Sequence, residues 1–409
     1  MTLRKTGRRV LSVLAYVVVF NTLLAYGLPG GLFGVLVVGL GVLYFRIGAA
    51  EAVTLSTSLV VVTLTYGLAL KLTGFGNAVY YRPDEMLSEY RADLRHRAYH
   101  RDATIRMHMP YGDLQPMTSA KIGAPRDVTY HIDDYGFRNN ADYAGERYIL
   151  VGDSFVAGSG NTQDELLSAQ LKRSYGLSTY NLAHPGGLPD YANYVDAFAR
   201  THRGFKVLLF VFEGNDFEPD EPPPPRILRA WRRYYTMFSG TNVYRVTKSL
   251  IRRANRRAQI VGSVYVKVRE LNGRPIGFLT RYVDATRDDH KPEIPSFEGA
   301  LLRLKPYLTH VYFIPTKYRV YYRAVEGPQA PALADAKWGY LKQLCVRDDL
   351  VCTNLTAPMR RQADALRARG ELLWWPDDTH WNGQGIAVAA RIVAETLKED
   401  ARGARSARK

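Results

Sequence analysis

Four short blocks of this chain hold residues that could do chemistry together. The first is Gly152-Asp153-Ser154, directly after the apolar run Tyr148-Ile149-Leu150-Val151. A serine carried out of the carboxyl end of a buried strand stands where ligands collect in an open parallel sheet. The second runs from Asn181 through His184 and Pro185 to Gly186 and Gly187. Glycine there lets the backbone approach a substrate and offer an N–H. The third is Glu213-Gly214-Asn215-Asp216, whose side-chain amide can donate to a developing oxyanion. The fourth is Asp377-Asp378-Thr379-His380-Trp381-Asn382, in which a turn can bring Asp377 to the imidazole of His380.

Combined, these blocks describe nucleophilic acyl chemistry. Ser154 is the expected nucleophile and His380 the base that takes its proton. Asp377 is the expected orienter of the imidazole, with Asp378 as second choice. The N–H groups of Ser154 and Gly186 and the Asn215 amide are the expected oxyanion hole; losing one such donor costs roughly 10²–10³ in rate. Each block also has a plain structural reading: a helix cap at Ser154, a turn residue at Asp153, a loop amide at Asn215, a packed imidazole at His380. His184 precedes a proline and reads as a loop residue rather than a base. His202, His290 and His310 belong to none of the blocks.

The elements that must position these residues alternate. Strand signals occur at 148–151, 178–183, 207–212, 309–315 and 349–354, with helical stretches at 164–175 and 189–202. A closing amphipathic helix over 385–398 has Ile386, Ala389, Val393 and Leu397 on one face. Strands alternating with helices predict a parallel sheet covered on both faces. Val128, Tyr130 and Ile132 alternate with polar residues as in a further strand, and 75–125 reads as a linker and lead-in. Between the third and fourth strands, 217–308 is an insertion of about ninety residues, a length that is usually functional or mobile. It holds four prolines at 222–225 and a basic aromatic stretch, including Arg226, Arg229, Trp231, Arg232, Arg233, Tyr234 and Tyr235. A lid, a bilayer contact, a groove for an acidic chain and a plain solvated insertion all fit it.

Residues 1–74 are a different material. Apolar runs at 10–28, 32–45 and 52–70 predict three transmembrane helices, the second being short. Arg4, Lys5, Arg8 and Arg9 keep the N-terminus cytoplasmic. Three spans then place residue 74 onward outside the cytoplasm, in the periplasm of a cell with two membranes; two spans would leave it inside. The 409 residues carry 55 Lys and Arg against 39 Asp and Glu, a net charge of +16. Such a balance favours an anionic partner. The basic excess is spread over the N-terminus, 226–257 and the 401–409 tail. No zinc-ligand spacing, RNA-binding signature or basic heptad region supports nucleic acid. Cys345 and Cys352 do not have metal-site spacing; in an exported domain they could form a disulfide, and otherwise they are small core residues.

With all four blocks in order over 145–400, the chain resembles the SGNH (GDSL-like) hydrolase superfamily. That resemblance implies a flavodoxin-like three-layer α/β/α fold with a five-stranded parallel sheet. It also implies esterase, lipase, thioesterase or polysaccharide O-acetyl esterase or transferase activity, with no cofactor and no metal. Asp377 to Trp381 with Asn382 and Gly383, and the 314–321 run Ile-Pro-Thr-Lys-Tyr-Arg-Val-Tyr, look like the periplasmic branch related to the alginate O-acetylation proteins. In those proteins the Asp-His block precedes the serine, whereas here it comes last, so no specific substrate carries over. Asp153, Lys317, Tyr318 and Trp381 are the candidates for substrate contact.

The expectation is therefore a serine esterase or O-acyltransferase anchored in a bacterial inner membrane, its catalytic domain periplasmic. It would act on an ester, above all an O-acetyl ester, of an envelope or secreted polysaccharide through an acyl-Ser154 intermediate. Transfer would require a separate multi-span acyl exporter as partner. The alternatives are a lipase or thioesterase at the membrane surface and a non-catalytic glycan-binding subunit of an export machine.

Overall fold

The structure, a computed structural model, describes residues 87–220 and 265–406, with positions 61, 65, 68 and 69. The two long stretches belong to one compact unit, Leu87–Pro222 with Ile260–Lys409. Apart from positions 61, 65, 68 and 69, which fall in the third expected span, the three expected spans lie outside the described residues, as do residues 221–264 of the insertion. Among the described residues no helix is long and apolar enough to cross a membrane.

In chain order, β1 (Ser88–Arg91) and β2 (His96–Tyr99) form an antiparallel hairpin, as do β3 (Ala103–Met109) and β4 (Arg126–Ile132). The lead-in is thus folded from residue 87 onward. There follow β5 (Tyr148–Val151), the one-turn α1 (Ser154–Ala157), α2 (Leu167–Tyr175), β6 (Thr179–Asn181), α3 (Leu188–Phe198) and β7 (Lys206–Phe212). The described end of the insertion supplies a third hairpin, β8 (Val266–Leu271) with β9 (Arg274–Leu279), then α4 (Thr280–Arg287) and α5 (Pro295–Leu304). The chain closes with β10 (Leu308–Ile314), α6 (Lys317–Glu326), α7 (Ala336–Arg347), β11 (Cys352–Asn354), α8 (Thr356–Arg367) and α9 (Gly383–Ser406).

Five of these strands make one parallel sheet in the order β11-β10-β7-β5-β6. Numbered along the chain, that is 2-1-3-4-5, the order of flavodoxin-like doubly wound sheets. All five fall on the runs read as strands from sequence. The period of two sends alternate side chains to opposite faces. Leu150, Leu208, Phe210, Phe212, Tyr312 and Ile314 pack with α2, α6, α8 and α9. Ile149, Val151, Val207, Leu209, Val211, Val311 and Phe313 pack with α3, α5 and α7. The result is an α/β fold in which helices flank a five-stranded parallel sheet, consistent with three α/β/α layers. The order reverses between β5 and β7, so the turn after β5 stands at the switch point where such sheets bind ligands. Cys345 and Cys352 are joined, with Cα atoms 6.3 Å apart, tying the end of α7 to β11.

Candidate active site

The nucleophile candidate is set by the turn out of β5. A Cβ at Gly152 would lie 2.7 Å from Val156 Cγ2 and 3.2 Å from Phe210 Cβ. Only glycine lets the strand turn this close to α1 and β7. Asp153 then caps α1, its Oδ1 accepting from Phe155 N at 2.9 Å. Its carboxyl is 2 % exposed, its Oδ2 has no hydrogen-bond partner, and burial pushes its pKa up to about 6. Asp153 is thus a buried cap, not an open contact for substrate. Ser154, the next residue, is half-buried rather than sealed.

The base candidate arrives from the loop between α8 and α9. His380 Nε2 lies 2.7 Å from Ser154 Oγ. On the other side of the ring, His380 Nδ1 lies 2.7 Å from Asp378 Oδ1. The orienting contact therefore falls on Asp378, not on Asp377. Asp378 Oδ1 also accepts from His380 N at 3.1 Å, so a two-residue loop folds back on its own imidazole. Burial works to raise the Asp378 carboxyl, but the His380 hydrogen bond and charge and the Arg126 charge outweigh it, holding it well below the usual carboxylate range. A carboxylate at Nδ1 fixes the tautomer in which Nε2 is free to take a proton from the serine.

Asp377 faces the other way, into the 112–126 segment. Its Oδ2 accepts from Gly112 N at 2.6 Å and Ala124 N at 2.8 Å. Arg126 bridges the pair, Nη1 to Asp377 Oδ1 at 3.3 Å and Nη2 to Asp378 Oδ2 at 2.7 Å. A Cβ at Gly112 would lie 2.6 Å from both Asp377 O and the Asp378 side chain, so the segment docks only because residue 112 is glycine. Burial, larger here than the opposing Arg126 charge, raises the Asp377 carboxyl. These supports lie more than 250 positions upstream, where no local signal marks them.

The remaining candidates for substrate contact also prove to be supports. Lys317 is buried, and its Nζ donates to Trp375 O at 2.7 Å, Pro376 O at 3.0 Å and Asp378 O at 3.2 Å. It clamps the loop that carries Asp378. Trp381 is fully buried, with Nε1 donating to Phe155 O at 3.0 Å, which ties this loop to α1. Tyr318 is buried, and its hydroxyl meets Arg287 and Glu326. Large aromatic and cationic residues near a motif look like ligand contacts in sequence; burial turns these three inward.

The expected oxyanion donors come from the turns after three adjacent strands, β5, β6 and β7. The N–H groups of Ser154 and Gly186 have no acceptor among the described residues, and both residues are half-buried. Asn215 is half-buried as well, and its Oδ1 has no hydrogen-bond partner. Below this row, Tyr191 Oη lies 3.0 Å from Gly186 O and 3.0 Å from Asp216 Oδ1. His184 is buried, with Nε2 2.9 Å from the buried hydroxyl of Ser88, away from solvent. It packs the β1–β2 hairpin rather than serving as a base.

Beside the loop that carries His380, a cavity of about 560 Å³ is lined by residues of the β8–β9 hairpin and by Trp374, Trp375 and Pro376. Among the described residues, its ionisable lining residues are Lys121 and Arg274. Comparison with known proteins returns no matching family model and no matching curated relative.

Proposed function

We propose that this chain is a serine-dependent acyl hydrolase or acyltransferase of the SGNH (GDSL-like) type. One observation carries the reading: the continuous chain Ser154 Oγ, His380 Nε2, His380 Nδ1, Asp378 Oδ1, each link 2.7 Å, at the switch point of a parallel sheet. Ser154 Oγ attacks an ester carbonyl while His380 takes its proton. The new oxyanion is met by the N–H groups of Ser154 and Gly186 and the Asn215 amide. Asp378 stabilises the imidazolium without taking its proton. As the tetrahedral adduct collapses, His380 returns the proton to the leaving alcohol, leaving acyl-Ser154. Water resolves that ester in a hydrolase; a sugar hydroxyl, deprotonated by His380, resolves it in a transferase.

The substrate reading is an O-acetylated glycan outside the cytoplasm, with residues 1–74 as the membrane anchor. The cavity beside the His380 loop has Trp375, Asn272, Asn382, Lys121 and Arg274 in its lining, an aromatic ring with polar groups that a sugar can use, together with the apolar Ile122, Leu271, Ile276 and Leu372. The test is the acetyl content of envelope polysaccharide in cells carrying the wild-type or the Ser154→Ala chain. Lower acetyl content in the variant assigns the transferase, and higher content the esterase. Equal content rejects the glycan substrate.

A further inference from the structure

We infer that Asp216 carries a proton and, through Tyr191, acts as a positioning residue that holds the Gly186 peptide in register with the Asn215 turn. The inference rests on the acyl-transfer reading above for its functional meaning, but the proton itself follows from counting hydrogens.

Tyr191 Oη has two polar neighbours at the same distance, Gly186 O at 3.0 Å and Asp216 Oδ1 at 3.0 Å. A phenol has one proton, and a backbone carbonyl can only accept. If Tyr191 donates to an ionised Asp216, its lone pairs face the Gly186 carbonyl. If it donates to Gly186, its lone pairs face a carboxylate. Splitting the proton leaves both contacts half made in a largely buried place, since Tyr191 is fully buried and Asp216 is 6 % exposed. A neutral Asp216 removes the conflict. Its acid O–H donates to Tyr191, and Tyr191 donates to Gly186. The remaining oxygen, Oδ2, accepts from Phe212 N at 2.7 Å, as the carbonyl oxygen of an acid does.

The surroundings favour the neutral form. Asp216 has no ion pair with Arg or Lys among the described residues. Asp153 on the β5–α1 turn and Asp190 on α3 are the charged groups that face it, and both are acids. Burial, then Asp153, hold its pKa well above the usual carboxylate range. The chain Asp216–Tyr191–Gly186 therefore links the turn after β7 to the loop after β6, the two segments that supply the Asn215 amide and the Gly186 N–H.

The arrangement makes an unusual demand: asparagine should serve at 216 as well as aspartate. Its carbonyl can accept from Phe212 N and its NH₂ can donate to Tyr191, the same pattern as the protonated acid. The experiment compares Asp216→Asn, Asp216→Ala and Tyr191→Phe in the full-length protein with a small acetyl ester. Asp216→Asn should keep kcat within about three-fold, while Asp216→Ala and Tyr191→Phe lower kcat roughly 10–100-fold with KM little changed. An Asp216→Asn variant as impaired as Asp216→Ala overturns the inference, because charge would then be what matters. Difference infrared spectroscopy reads the proton without using activity. Wild type at neutral pH should show the carbonyl stretch of a protonated carboxyl that Asp216→Asn lacks; its absence also overturns the inference. If wild type shows no Ser154-dependent turnover, the acyl-transfer reading fails, while the infrared band still decides the proton.

Discussion

His380 takes its carboxylate from Asp378, two residues upstream, at 2.7 Å between Nδ1 and Oδ1. The adjacent Asp377 instead binds the backbone N–H groups of Gly112 and Ala124. The two carboxylates should therefore fail differently. Asp378→Asn removes the group that holds the tautomer and should lower kcat by roughly 10⁴-fold; it also takes a counter-charge from the buried Arg126, so it should cost stability as well. Asp377→Asn leaves the His380 contact intact and should keep kcat within about ten-fold, while costing about 1–3 kcal/mol of stability through its lost acceptors. Steady-state kinetics on both variants, with urea denaturation to confirm that each is folded, separate the two roles. Reversed effects would restore Asp377 as the orienter.

Arg126 is the shared counter-charge of both aspartates, and all three side chains are nearly or fully buried. Its guanidinium also lies over the Trp375 ring, 4.4 Å from the centroid. Removing one member of such a set leaves uncompensated buried charge. Arg126→Met should destabilise the protein by about 3–5 kcal/mol in urea denaturation. A loss below about 1 kcal/mol would mean that water or another cation neutralises the pair.

Much of this was legible from sequence. Four of the five sheet strands fall on short runs that become largely buried, while the edge strand β11 (Cys352–Asn354) is only half-buried. Ser154, His380 and the turns after β6 and β7 follow, because chemistry in a parallel sheet collects at strand ends. The choice between Asp377 and Asp378 was not legible. Both can reach an imidazole from a loop, and the decision is made by Gly112, Ala124 and Arg126, which fold against the loop from the other end of the chain. Lys317, Tyr318 and Trp381 misled for a related reason: residue type announces an aptitude for ligands, while burial assigns it to the protein's own backbone. The Tyr191–Asp216 contact spans 25 positions and carries no motif.

Lys317 makes the stability of the domain depend on alkaline pH. Burial pulls its ammonium down to about 7, against the attraction of Asp377, Asp378 and Asp113. In the unfolded chain the group titrates near about 10.4. Between those values the unfolded state holds a proton that the folded state has released, so raising the pH favours folding. The stability of wild type relative to Lys317→Met should therefore rise from about pH 7 to about pH 10, by up to about 1.4 kcal/mol per pH unit. Urea denaturation of both proteins across that window checks it, and a flat difference contradicts it. At neutral pH the variant should also lose kcat roughly ten-fold, because the loop carrying Asp378 loses its three-point clamp.

In the proposed mechanism Ser154 becomes covalently acylated. The direct measurement is mass spectrometry of the full-length protein quenched in acid after brief exposure to an activated acetyl ester. One acetyl group is expected on the peptide containing Ser154, absent from Ser154→Ala and strongly reduced in Asp378→Asn. No adduct in wild type under turnover, or an adduct that persists in Ser154→Ala, would contradict it.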